Sequence, residues 1–142
     1  MNILRYVPFF IVPLLIYAVI AIPAGDHMPQ NLAAEVLSMP LASGAVMHLT
    51  FGGVMVLLAI VFQALEVIRS VRPTNAAIGE NMASLILWIF CLIAFLFVRG
   101  FGTAEFFIML LLLLSDYLTD LVVMVFTARR TVATGLNVTG PN

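Results

Sequence analysis

From Phe106 to Ala128 the chain carries two charges, Asp116 and Asp120, in a segment otherwise built almost wholly of hydrocarbon side chains. A bilayer core of about 30 Å is crossed by roughly 20 apolar residues of α-helix, so this run reads as a transmembrane helix. Comparable runs lie at about 6–23, 45–68 and 82–98. The chain as a whole fits that reading, with 63% hydrophobic and 9% charged residues and a mean hydropathy of +1.18. Soluble domains carry about 25% charged residues. The expectation is an all-α polytopic membrane protein, a bundle of four transmembrane helices forming a single membrane domain over 1–142.

The arginines give a direction. Arg5, Arg69, Arg72, Arg129 and Arg130 fall on one side of the four runs and Arg99 on the other, and there is no lysine. The positive-inside rule then puts both termini in the cytoplasm and the multi-pass chain in the inner (plasma) membrane of a bacterial-type cell. A net charge of −1 and six basic residues offer no basic stripe, which argues against a nucleic-acid partner. The first run follows Arg5 and could be read as a signal peptide, but Pro8 and Pro13 interrupt it and "AIPAGD" has no small-x-small cleavage pattern. A kinked anchor helix is the simpler expectation.

Between the first two runs, "PQNLAAEVLSM" places Leu32, Val36 and Met39 at helical spacing after Pro29. This predicts a short helix in the membrane interface within the first external loop, ended by Pro40 and Gly44. The link "RSVRPTNAAIGEN" is turn-rich, with Pro73 stopping one helix and Thr74 or Asn75 capping the next. The tail over about 131–142 is polar and is expected to be mobile.

At 100° per residue, Ser115, Asp116, Thr119 and Asp120 share an arc of roughly 140°, with Glu105, Thr127 and Arg130 on the same side. Leu110, Leu111, Leu114, Leu118, Val122 and Val125 form the opposite face, expected to meet lipid. The second run carries His48, Gly52, Met55, Ala59, Gln63 and Glu66 along one stripe. Small residues among polar ones permit close helix approach and interhelical hydrogen bonds, so this stripe is expected to be a packing face. The third run gives a narrower line of Asn81, Ser84, Trp88, Cys91, Phe95 and Arg99.

Asp116 and Asp120 are the candidate site. A charged aspartate at the centre of a membrane helix costs about 2.5–3.5 kcal/mol on insertion scales, and two in one turn repel. Neutral donors at similar depth are the expected partners: Tyr17, Gln63 and Trp88 on other helices, with Ser115 and Thr119 beside them. At least one of the two carboxyls is expected to hold its proton at neutral pH, as a coupled pair.

Weaker signals surround this centre. His27, Met28, Met39, Met47 and His48 lie toward one end of the runs, and thioether with imidazole suits soft Cu(I). His27, Met47 and His48 lack motif-grade spacing, so no metal and no cofactor is expected, and a haem ligated by His48 lacks a second histidine within a run. Arg99 and Glu105 flank "GFGT" and are expected to pair across that turn, as are Glu66 and Arg69 at i, i+3. Metalloprotease, phosphate-loop and dithiol motifs are missing, so the chain reads as non-enzymatic, with lipid-processing chemistry a minor alternative. The expected role is an accessory subunit or assembly factor of a membrane complex, partnered by the lipid bilayer and by other subunits or its own copies. The alternative is a small proton-linked or cation-conducting transporter using Asp116 and Asp120.

Overall fold

The computed structural model describes residues 8–70 and 77–138. Helix α1 runs Ile11–Ala24 and passes through a 3₁₀ turn at Gly25–His27 into α2, Met28–Leu32. Two strands follow, β1 (Glu35–Pro40) and β2 (Val46–Thr50), and then three helices, α3 (Phe51–Ser70), α4 (Ala77–Phe97) and α5 (Ala104–Val138). The protein is mostly helical. Three stretches are long and apolar enough to cross a membrane: Ile11–Leu32, Phe51–Ile68 and Ala104–Phe126. In α4 the stretch Met82–Phe97 is apolar as well, over a shorter length.

The hairpin replaces the interfacial helix expected between the first two runs, so the fold is not purely α. Only Met28–Leu32 is helical there, and it continues the first helix. β1 and β2 pair antiparallel, Leu37 opposite Leu49, Ser38 opposite His48 and Met39 opposite Met47, with a bulge between Glu35 and Leu37. Gly44 closes the turn at φ +83, a conformation glycine reaches without a Cβ penalty, and its N–H donates to the Leu41 carbonyl at 3.0 Å. At the base, Phe51 N–H donates to Ala34 O at 2.8 Å. Leu32, Val36 and Met39 keep a helical spacing, but Leu37, Met39 and Leu41 in the same segment also alternate. The Ser43-Gly44 turn and its antiparallel partner decide for strand.

Two boundaries move. The second run begins as a helix at Phe51 and not at residue 45, because Val46–Thr50 is strand. The last helix extends to Val138, through most of the tail expected to be mobile. Within the described residues the first helix starts at Ile11, so the expected start near residue 6 lies outside them.

The core is an aromatic and aliphatic cluster enclosed between the helices. Phe10, Leu14, Tyr17 and Ala21 of the first helix, Met28 and Leu32 of α2, Ala59 of α3, and Phe106, Met109, Leu110 and Leu113 of α5 are all buried. Tyr17 packs on Phe106 with ring centroids 5.0 Å apart, and Phe101 meets Phe106 edge-on at 4.9 Å. Around this cluster, large apolar side chains on every long helix face outward, among them Val19, Leu57, Ile60, Phe90 and Val122. In water such a belt would aggregate; in a bilayer it is solvated by lipid.

Candidate intramembrane polar site

Helices α3 and α5 both run away from the hairpin end and pack along most of their shared length. Near that end Gly52 lies under Glu105, where a Cβ would come within 2.8 Å of Glu105 Oε1. Three turns further on, Gln63 Nε2 donates to Asp116 Oδ1 at 3.1 Å. Both contacts advance by the same number of residues on each helix, so the pair runs parallel and in step. Along α3 the seam is made of Gly52, Met55, Ala59 and Glu66, all buried, with Gln63 half-buried between them. Small residues at Gly52 and Ala59 bring the backbones close enough for a glutamine side chain to span to the carboxyl.

Asp116 is 1% exposed, near the middle of its apolar stretch, while Asp120 one turn on is half-buried. Gln63 Oε1 and Trp88 Nε1 are buried polar atoms with no hydrogen-bond partner among the described residues. The amide N–H of Gln63 thus engages one oxygen of the carboxyl and leaves its own carbonyl oxygen open. Ser84 and Cys91 on α4 are buried, and Trp88 and Phe95 on the same line are half-buried, so the middle of the line seen in the third run faces the protein, while Arg99 at its end is exposed.

The polar arc of α5 faces inward only in part. Its buried residues, Phe106, Met109, Leu110, Leu113 and Asp116, form a face that overlaps the polar arc at Asp116 alone. Ser115 is exposed and Thr119 half-buried, with the Thr119 hydroxyl donating to Ser115 O at 2.8 Å. A threonine that bonds its own helix needs no partner across the interface, so polarity by itself does not point it inward. Leu110, assigned to the lipid face, is instead in the core at 3% exposed.

Tyr17 takes a different place from the one expected of it. Its hydroxyl reaches the turn between α4 and α5, at 3.2 Å from Gly100 O and 2.5 Å from Thr103 Oγ1. Thr103 Oγ1 also accepts from Phe106 N–H at 3.2 Å, which makes Thr103 the N-cap of α5. Tyr17 has one hydroxyl proton and Gly100 takes it, so the Thr103 hydroxyl donates to the tyrosine oxygen. Gly100 sits at φ +88 against the end of the first helix, where a Cβ would lie 2.6 Å from Ala21 O. Three helices are thereby pinned at one corner. Thr103 before an apolar run is a cap signal that the sequence carried; nothing in it linked that cap to Tyr17.

The expected pair between Arg99 and Glu105 is replaced by another. Arg99 Nη1 pairs with Asp26 Oδ2 at 3.1 Å on the surface, joining the end of α4 to the 3₁₀ turn, and not with Glu105, which covers Gly52. A cleft of about 360 Å³ opens beside this pair, between Pro29, Phe95 and Gly102. At the other end of α3, Glu66 Oε2 accepts the Phe9 N–H at 2.6 Å, one of the amide groups that a helix start leaves unsatisfied. The side chain of Arg69, expected to pair with Glu66, lies outside the described residues.

His48 belongs to β2 and not to the packing stripe of α3. It is 59% exposed and its Nδ1 lies 3.1 Å from Glu35 Oε1 across the hairpin. Strand alternation sends Met47 to the opposite face, so Met47 and His48 do not converge. No group of three or more His, Cys, Asp or Glu side chains is placed to hold a metal among the described residues. No protein-family model, curated protein or solved structure matches the chain.

Proposed function

We propose that the chain is a non-enzymatic, four-span inner-membrane protein with both termini cytoplasmic, acting as an accessory subunit or assembly factor through contacts between helices. The observation that carries this reading is the hydrogen bond from Gln63 to Asp116: the central carboxyl of α5 is engaged in joining two helices. Glu66 with Phe9, and Tyr17 with Thr103, serve the same end at the two ends of the spans. The long helices present apolar side chains outward, a surface suited to lipid or to the spans of other membrane proteins. The 21-residue α4 is about 31 Å long at 1.5 Å per residue, sufficient for the fourth crossing. The distribution of arginines supports the orientation. Purification of the tagged full chain in mild detergent tests the role: a stoichiometric companion protein that remains bound to Asp116→Asn supports it. A chain recovered alone from its native membrane counts against it.

A second reading, favoured by the open capacity of Gln63 Oε1 beside the buried Asp116, is a proton-linked or cation-conducting site at Asp116 and Asp120. Reconstitution into vesicles separates the two. Flux that depends on pH and is abolished by Asp116→Asn would favour transport, together with a protonated-carboxyl C=O stretching band lost in the same variant.

A further inference from the structure

The hairpin has two chemically distinct faces. Cross-strand partners share a face, so Leu37 with Leu49 and Met39 with Met47 form one side, and Ser38 with His48 and Pro40 with Val46 the other. The Glu35 carboxyl and the His48 imidazole meet on the second side. The first side is wholly apolar, yet Leu37, Met39 and Met47 are 47%, 45% and 41% exposed. A two-stranded hairpin with no second layer is marginal in water.

Leu49 shows where this face leads. Its Cδ1 lies 3.1 Å from the position of a Cβ on Gly53, so the apolar side rests on the first turn of α3. Gly53 lies on the strip of α3 that continues through Leu57 and Ile60, the strip turned away from the protein and exposed at 52% and 46%. The apolar side of the hairpin is thus continuous with the surface that α3 offers to lipid, and β2 joins α3 with no intervening residue. From these relationships we infer that the hairpin lies on the bilayer, with Leu37, Met39 and Met47 inserted among the lipids and Ser38, His48 and Glu35 toward water. It is an interfacial anchor formed from strands, and the lipid surface supplies its missing layer. The inference rests on the membrane-spanning reading of α3.

Spin labels on single-cysteine forms of the full chain test this, in a Cys91→Ala background reconstituted into phosphatidylcholine and phosphatidylglycerol vesicles. At Met39→Cys and Met47→Cys, accessibility to oxygen relative to a water-soluble nickel chelate is expected to exceed that at Ser38→Cys and His48→Cys several-fold. Equal nickel accessibility at positions 38 and 39 overturns the proposal. So does exclusion of both reagents from 39 and 47, with dipolar broadening if a second copy covers the face. A label at Val19→Cys, 73% exposed on the first helix, reports insertion itself. High oxygen accessibility there with none at 39 rejects the hairpin anchor and leaves the spanning reading intact. If Cys91→Ala does not fold, quenching of Met39→Trp by brominated phosphatidylcholine, compared with Ser38→Trp, decides in the native-cysteine chain: equal quenching overturns the proposal.

Discussion

Gln63 and Asp116 join α3 to α5 through a 3.1 Å hydrogen bond in step with the Gly52 and Glu105 contact at the other end of the same seam. The parallel register of the two helices follows from this pair of contacts. Small residues set the approach, and the amide and the carboxyl meet only if the register is kept.

Hydrogen bonds between membrane helices contribute about 0.6 kcal/mol on average and up to about 1.7 kcal/mol. Gln63→Leu and Asp116→Leu are expected to couple by that amount in a double-mutant cycle of stability in micelles, whereas Asp116→Asn, which keeps an acceptor oxygen, loses less than Asp116→Leu. Additive effects of the two leucine changes would show that the bond contributes nothing.

Gly100→Ala should be strongly destabilising, by about 1–3 kcal/mol. It places a Cβ 2.6 Å from Ala21 O and on a backbone at φ +88. Gly102→Ala, with open space around its Cβ, is the control and should be near neutral. Similar thermal midpoints for the two variants would contradict the close approach.

Thr103→Ala removes the N-cap of α5 and the partner of Tyr17, and a loss of about 0.5–2 kcal/mol is expected. Thr103→Ser should restore most of it. Tyr17→Phe keeps the ring against Phe106 and loses only the hydroxyl, so its effect should shrink when combined with Thr103→Ala. Thermal unfolding of the four variants reads this directly.

The Arg99 and Asp26 pair is 82% and 71% exposed in its side chains, where screening by water and salt leaves little net attraction. Arg99→Ala is expected to change stability by less than about 1 kcal/mol, and by less again at high salt. A large, salt-insensitive loss would mean that Arg99 serves a purpose other than this pair.

The residues show which part of this was legible in advance. Gly52, Ala59, Gln63 and Glu66 fall on one stripe of any helix through that segment, so their inward placement follows from periodicity, and Gln63 meets Asp116 at comparable depth. Tyr17 was misplaced because depth along a helix fixes height and leaves azimuth open: the same height gives access to several neighbours. Arg99 found Asp26 in place of Glu105 because the 3₁₀ turn at Gly25 carries the acid to it, a path no local pattern records.

Composition and the lengths of the apolar runs by themselves determine that this chain has helices long and apolar enough to cross a membrane, because a helical run of about 20 apolar residues bonds its own backbone groups, as hydrocarbon demands. Tertiary structure alone decided that Glu35–Thr50 is a hairpin, that Asp116 is the one fully buried member of the polar arc among the described residues, and that Tyr17 closes on Thr103. Each of these depends on a partner distant in sequence: a second strand, a facing helix, a turn folded back. A local period is compatible with more than one answer until that partner arrives.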